Sequence, residues 1–324
     1  MAIDSLKREG PWLKPSAHYS IGIDPSPSCE EKLLTASVVV CTRNRPASLR
    51  SCLKGLAQLE HAPEEVIVVD NTEGDKETEA VAKEFGARYL IEPKPGLSRA
   101  RNRGLAESNF EVVAYLDDDA LPDIRWLGCL LEPFDDPQVA LVTGRIVRSD
   151  VRPMDGAKQP ARTLSNKDPE WFEIATFGGL GLGSNMAFRK RVGDRGAIFD
   201  ERLGRGAPFE IAEENYAFAL VLSRGDTAVF LPDAVVFHPP GKPADIKQEA
   251  RNLIAFSILL LAEFPERRRD LIRFLYRRIR RKPLTWPRDS PDPGEIITSG
   301  WSVLFSASFS AALLFLKTKK PRGN

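Results

Sequence analysis

Apolar and polar positions alternate in blocks along the first third of the chain. Ala36 to Cys41 is a short β-branched run, which predicts a strand buried on both faces. Pro46 to Leu59 places Leu49, Leu53, Leu56 and Leu59 at helical spacing behind an N-terminal proline. Glu65 to Asp70 is a second strand, Thr78 to Phe85 a helix, Ala87 to Ile91 a third strand, Leu97 to Glu107 a helix and Glu111 to Asp117 a fourth strand. Strands alternating with helices make βαβ units, whose crossovers give a parallel sheet. Thr42-Arg43-Asn44, Asp70-Asn71 and Asp117-Asp118-Asp119 then all fall at the carboxyl ends of strands, where such sheets bind ligands.

The second half is less regular. Val139 to Val147 and Ser184 to Phe188 read as strands, residues 148–170 as a polar loop, and Glu213 to Arg224 as a helix closed by Gly225. Thr227 to Leu231 and Ala234 to Phe237 read as two short strands around Pro232-Asp233, and from Ala250 onward the pattern turns to apolar and basic helices. Residues 1–34, rich in Pro, Ser and charge, read as an irregular arm.

The chain has 324 residues, 42% of them hydrophobic, and a formal net charge of +1 from 46 Lys+Arg and 45 Asp+Glu. That is ample for a packed core and excludes wholesale disorder, and it leaves any electrostatic partner to be met by a local patch. Cys29, Cys41, Cys52 and Cys129 form no C-x-x-C pair, which suits reduced thiols in a cytosolic protein. The first sixteen residues hold no apolar stretch of secretory-leader length, so the expectation is a protein that stays inside the cell.

Four groups of residues carry candidate chemistry. Three adjacent aspartates repel one another unless solvated or neutralised by a cation, so Asp117 to Asp119 is either a solvated acidic turn or a site for Mg²⁺ or Mn²⁺. Glu213 and Glu214 in a first helical turn are either helix-dipole stabilisers or, if buried, a source of a general base. His238, one of three histidines, is either structural or completes the metal site. Ser98 sits at a helix N-terminus suited to phosphate, with Arg99 and Arg103 on one face. Gly179 to Gly183 lacks the G-x-G-x-x-G spacing and is rejected as a dinucleotide fingerprint.

Together these segments resemble glycosyltransferase family 2, the inverting enzymes on the GT-A fold, from Ala36 to about Pro240. The similar segments are Ser37-Val-Val-Val-Cys-Thr-Arg-Asn-Arg-Pro46, Val66-Ile-Val-Val-Asp-Asn71, Pro95-Gly-Leu-Ser-Arg-Ala-Arg-Asn102, Ala114-Tyr-Leu-Asp-Asp-Asp119, Gly183-Ser-Asn-Met-Ala-Phe-Arg189 and Ala234-Val-Val-Phe-His-Pro239. The resemblance implies an α/β, GT-A-like, mostly parallel sheet flanked by helices, with a C-terminal helical extension. It divides residues 35–240 into a nucleotide-sugar half (35–147) and an acceptor half (148–240); beyond them the pattern gives a helical, basic segment (241–324) that is a candidate for membrane association. It implies donor contacts from Thr42, Arg43, Asn44, Asp70, Arg99, Asn102, Asp117, Asp118 and Asn185, with Asp70 and Arg43 near the base. Asp117, Asp119 and His238 would hold Mg²⁺ or Mn²⁺, Glu214 would be the catalytic base and Glu213 its companion. Glu214 stands where the family usually has Asp, which leaves a catalytically weakened nucleotide-sugar or saccharide-binding protein as the alternative. The implied partners are a nucleotide-diphospho-sugar and a saccharide or lipid-linked acceptor, with no nucleic acid.

Glu266 to Lys282 contains nine Lys/Arg against two acids, with Leu271, Ile272, Leu275 and Ile279 at helical spacing. This is the look of a basic amphipathic helix, either packed on the catalytic domain or lying on an anionic membrane at the inner face of the cell membrane. Gly300 to Leu316 is 17 residues without charge, short for a membrane span and read as an in-plane or partly inserted helix.

Overall fold

Val38, Val39 and Val40 are wholly buried in strand β1 (Ala36–Thr42), as an unbroken apolar run in a central strand requires. The computed structural model describes residues 34–150, 160–240 and 246–280, without the side chains of 246–250 and 275–280. The expected arm, apart from its last residue, and the 300–316 segment lie outside the described residues. β2 (Glu65–Asp70), β3 (Arg88–Ile91) and β4 (Val112–Asp117) join β1 in the parallel order β3-β2-β1-β4. Helices α1 (Pro46–Leu56), α2 (Lys76–Glu84) and α3 (Leu97–Glu107) make the crossovers. The sequence pattern located each of these elements to within about two residues, except that α1 stops three residues short of Leu59.

Beyond β4 the sheet becomes mixed. After a two-residue β5 (Leu121–Pro122) come α4 (Trp126–Leu131), β6 (Val139–Arg148), β7 (Arg162–Leu164), α5 (Trp171–Phe177), β8 (Asn185–Arg189), α6 (Glu213–Ser223) and β9 (Thr227–His238). β8 lies between β4 and β6 and runs antiparallel to both, so one nine-stranded sheet spans the two expected halves. α4, α5, β5 and β7 were not expected: helices of six and seven residues make no more than two turns, and strands of two and three residues show no alternation.

The two short strands expected around Pro232 are one strand with a bulge. Gly144 pairs with Leu231 and the next residue, Arg145, with Val235, so Pro232, Asp233 and Ala234 are extra on the β9 side. Pro232 has no N–H to offer a ladder, which makes this the natural place for the interruption. The bulge turns the Ala234 carbonyl toward Gly144, where an added Cβ would lie 2.1 Å from it.

Because strand side chains alternate, the sheet carries a core on each face. Val38 and Val40 belong to one cluster with α1 and α4, and Val39 belongs to the other with α3, α5, α6 and α7 (Ile246–Glu263). Phe256, Leu259 and Leu260 bury α7 in that second cluster. α8 (Arg268–Arg280) follows, with Phe274 stacked on Phe177 at 3.8 Å and Leu271 buried, and just before it the Arg267 guanidinium lies 4.8 Å over Trp171. The inner side of the basic segment is therefore packed on α5 and the core beneath it, while Arg268, Arg269, Ile272 and Arg273 remain exposed. Among the described residues no helix is long and apolar enough to cross a membrane.

Gly144→Ala should lower the free energy of urea unfolding by about 3 kcal/mol, near the upper end for an overpacked core site, because a backbone carbonyl blocks the new methyl. Gly128→Ala, helical and with only ordinary contact to His61, should be neutral or mildly stabilising in the same assay.

Candidate active site

β4 ends at Asp117, and the chain turns at once, Ala120 N–H donating to the Asp117 carbonyl, into β5. β5 pairs antiparallel with β9 through Leu121 and Phe237, which brings the next residue, His238, back to the aspartate turn. The ligating atoms of Asp117, Asp119 and His238 consequently lie within 4.8 Å of one another. His238 Nε2 is 3.2 Å from Asp119 Oδ1 and 3.6 Å from Asp117 Oδ2, and Nδ1 lies 2.7 Å from the Pro239 carbonyl. The carboxylates push the His238 imidazole up to about 10, partial burial working against them. Hydrogen bonding from His238 and Arg45 holds Asp119 well below the usual carboxylate range. Burial opposes the charge of Asp117, yet His238 and Arg101 outweigh it and its pKa is lowered.

The middle aspartate turns the other way. Asp118 is 1% exposed, accepts from Thr42 Oγ1 at 2.6 Å and pairs with Arg45 Nη2 at 2.8 Å, while burial raises its carboxyl to about 6. Arg45 also reaches Asp119 through Nη1 at 2.6 Å. Asp118 and Thr42 thus lock the ends of β1 and β4 together, both side chains buried. Arg43 and Asn44 are exposed on the same turn, Asn44 in the left-handed region at φ 55°.

A second wall comes from α3 and α6. Arg101, buried, donates from Nη1 to Glu213 Oε1 at 2.9 Å and from Nη2 to the Gly183 carbonyl at 3.1 Å, and contacts Asp117 Oδ1 at 3.4 Å. Glu213 and Glu214 open α6, where the helix dipole favours acids, just after Ala212, which is left-handed at φ 58°. Burial and the Glu213 charge push the partly exposed Glu214 carboxyl up to about 8, with Arg101 pulling the other way.

The structure does not bring four other expected residues to this cluster. Asp70 is wholly buried and accepts from Thr72 Oγ1, Asp75 N–H and Tyr89 Oη, so it shapes its own turn. Asn185, also wholly buried, accepts from Trp126 Nε1 and donates to the Arg145 and Ala234 carbonyls. Asn102 is closed on the backbone of Phe199, and Arg99 pairs with Glu201 at 2.8 Å. Arg99, Asn102 and Arg103 line a separate cleft of about 460 Å³ that none of the cluster acids borders. Arg45 and Arg101 were the functional candidates missed. Their signals were an arginine immediately before the α1 proline and an arginine three residues after the Ser98 N-terminus.

The sequence profile described as glycosyl transferase family 2 matches residues 37–195. The chain is similar to the succinoglycan biosynthesis protein ExoM of Rhizobium meliloti, 31% identical over 220 residues that cover 64% of this chain and 67% of that protein. It is 36% identical over 129 residues to the pre-mycofactocin glycosyltransferase of Mycobacterium tuberculosis, covering 38% of this chain but only 26% of the relative's length. Among solved structures it resembles the mannosyltransferase PcManGT of Pyrobaculum calidifontis, in complex with GDP-Man and Mn²⁺. The TM-score is 0.57 at 16% identity, over 95% of this chain and 92% of that one. The likeness to that structure extends to the GT-A-like fold.

His238 and Glu214 both hold their protons more tightly when folded, so the native state binds more protons than the unfolded chain across this range. Metal-free protein should therefore lose stability as pH rises, through Glu214 from about 4.5 to 8 and through His238 from about 6.5 to 10. Urea midpoints across that range measure the slope, which should flatten above pH 8 in His238→Asn.

Proposed function

The chain belongs to glycosyltransferase family 2, and from that premise we propose that it moves a sugar from a nucleotide-diphospho-sugar to an acceptor hydroxyl with inversion, in a metal-dependent reaction. The observation that carries this reading is the meeting of Asp117, Asp119 and His238, distant in sequence, within one 4.8 Å cluster beside Glu213 and Glu214 on the Arg101 wall. Two carboxylate oxygens and an imidazole suit Mg²⁺ or Mn²⁺, and those three residues would hold it. Bound there, the cation supplies positive charge against the diphosphate of the leaving group.

The residues of the chain do the rest. Arg43 and Asn44, exposed at the end of β1, would line the donor side, with Asp117 near the ribose or the metal. Glu214 takes the proton of the acceptor hydroxyl as its oxygen attacks the anomeric carbon opposite the departing nucleoside diphosphate. One displacement inverts that carbon and needs no covalent enzyme intermediate. Only the ionised form of Glu214 can accept a proton, so its high pKa makes transfer rise with pH through about 8.

Residues 35–147 serve the donor in this reading and residues 148–240 the acceptor. The similarity to ExoM favours a saccharide or lipid-linked saccharide acceptor and a role in cell-surface polysaccharide or glycolipid synthesis. Exposed Arg268, Arg269 and Arg273 surround Ile272, itself 60% exposed, on the outward side of α8. That combination suits peripheral contact with anionic lipid at the inner face of the cell membrane.

Incubation with a panel of sugar nucleotides should release free nucleotide from one donor class, with release abolished by chelator and restored by Mn²⁺ or Mg²⁺. Glu214→Gln should lower turnover at least 100-fold in folded protein, and Asp119→Ala should abolish it. Donor binding without release from any donor would instead mark the weakened binding protein, and turnover unchanged in Glu214→Gln would remove that residue from the role.

Vesicle co-sedimentation checks the α8 contact. Binding should require phosphatidylglycerol, fall with salt, and drop at least tenfold in Arg269→Glu/Arg273→Glu; equal sedimentation with neutral vesicles overturns it.

A further inference from the structure

Arg101 stands between the two acidic groups of the site and touches both. Its side chain is 3% exposed, and its guanidinium reaches Glu213 at 2.9 Å, Asp117 at 3.4 Å and the Gly183 carbonyl at 3.1 Å. These partners come from three segments: the end of β4, the start of α6 and the glycine-rich stretch before β8. The backbone carbonyl of Arg101 accepts from Tyr115 Oη at 3.1 Å, and its guanidinium lies 5.7 Å from the centre of the Phe199 ring, so the residue is contacted at its main chain and at its tip.

The surroundings leave this bridge no slack. A Cβ at Gly183 would lie 2.8 Å from Arg101 Nη2, and one at Gly204 would lie 3.0 Å from the Glu213 carboxyl carbon. Both glycines are thus sites where any side chain would press on the ion pair. The start of α6 has no side-chain cap of its own; the Glu213 pair ties this turn to α3, while Asn215 Nδ2, donating to the Ala175 carbonyl at 3.0 Å, ties it to α5. Glu214 is the next residue, and its placement follows that of Glu213.

We propose that Arg101 is a positioning residue that sets the distance between the cation-binding acids and Glu214, so that donor and acceptor meet in register. This rests on the glycosyl-transfer reading above and adds a residue and a coupling to it. The planar guanidinium matters because it addresses three partners in fixed directions, whereas a lysine ammonium keeps the charge but cannot span all three. Loss of the bridge would leave the donor bound and the base misplaced, and a displacement of about 1 Å can cost about 100-fold in rate.

The test is a double-mutant cycle on the full chain, with kcat, donor KM and Tm measured for each variant. Arg101→Lys and Glu213→Gln should each lower kcat about 100-fold, with donor KM within threefold of wild type. The double variant should be no worse than the worse single one, since the two act as a unit. If Arg101→Lys does not fold, Gly183→Ala displaces the same guanidinium from outside the ion pair and should lower kcat at least tenfold with donor KM unchanged. A merely structural arginine would lower Tm and the active fraction while leaving kcat per folded site intact, and that overturns the proposal. So does a donor KM that rises as far as kcat/KM falls, which would make Arg101 a donor-binding residue, or losses that multiply in the double variant. Wild-type turnover together with an unaffected Arg101→Lys enzyme removes this inference alone, whereas wild-type protein inert toward every sugar nucleotide removes the reading beneath it as well.

Discussion

Mutual repulsion among buried and half-buried carboxylates is the constraint around which this site is organised. Asp117, Asp118 and Asp119 follow one strand, and Glu213 and Glu214 open a helix beside them. Like charges at such separations in a partly desolvated cleft cost several kcal/mol unless met. Three cationic groups meet them from different directions: Arg45 at the exposed rim, Arg101 from beneath, and His238 across the sheet edge. A divalent cation held by Asp117 and Asp119 would add to the positive charge that Arg45, Arg101 and His238 already direct at these acids.

Much of this was legible in the sequence, for reasons that can be stated strand by strand. Buried parallel strands are apolar runs, and β1, β2 and β4 announce themselves as such. The acids at their ends stand out because charge there interrupts the pattern. What a linear pattern does not carry is which way each side chain turns after the strand stops. Asp118 and Asp70 have the same local signature as Asp117, yet a one-residue alternation points Asp118 into the β1 and β4 ends, and the loop after Asp70 folds its own donors onto it. Asn185, expected as a donor contact, has an amide that holds a bulged strand and a buried indole in place, which no linear pattern carries.

Arg101 illustrates the converse. On α3 the arginines at 99 and 103 share a face and look like the working pair, while the one between them looks incidental. Helix rotation reverses this: the face carrying Arg99 and Arg103 looks onto ion pairs and solvent, and Arg101 alone of the three is aimed inward under Asp117. Knowing which side of α3 meets the sheet requires the tertiary packing of Ala100 and Leu105.

The three surplus residues at Pro232, Asp233 and Ala234 give β9 the character of a length gauge. At about 3.3 Å per residue, a strand paired without interruption would draw level with Arg148 at Val235 and carry the imidazole about 10 Å past the aspartate turn. With the surplus, His238 itself comes level with Arg148 and stops where the cluster needs it. Insertions and deletions in this short detour, ordinarily harmless outside regular pairing, would here be felt at the cluster of Asp117, Asp119 and His238, so chain length at 232–234 sets where that imidazole stands.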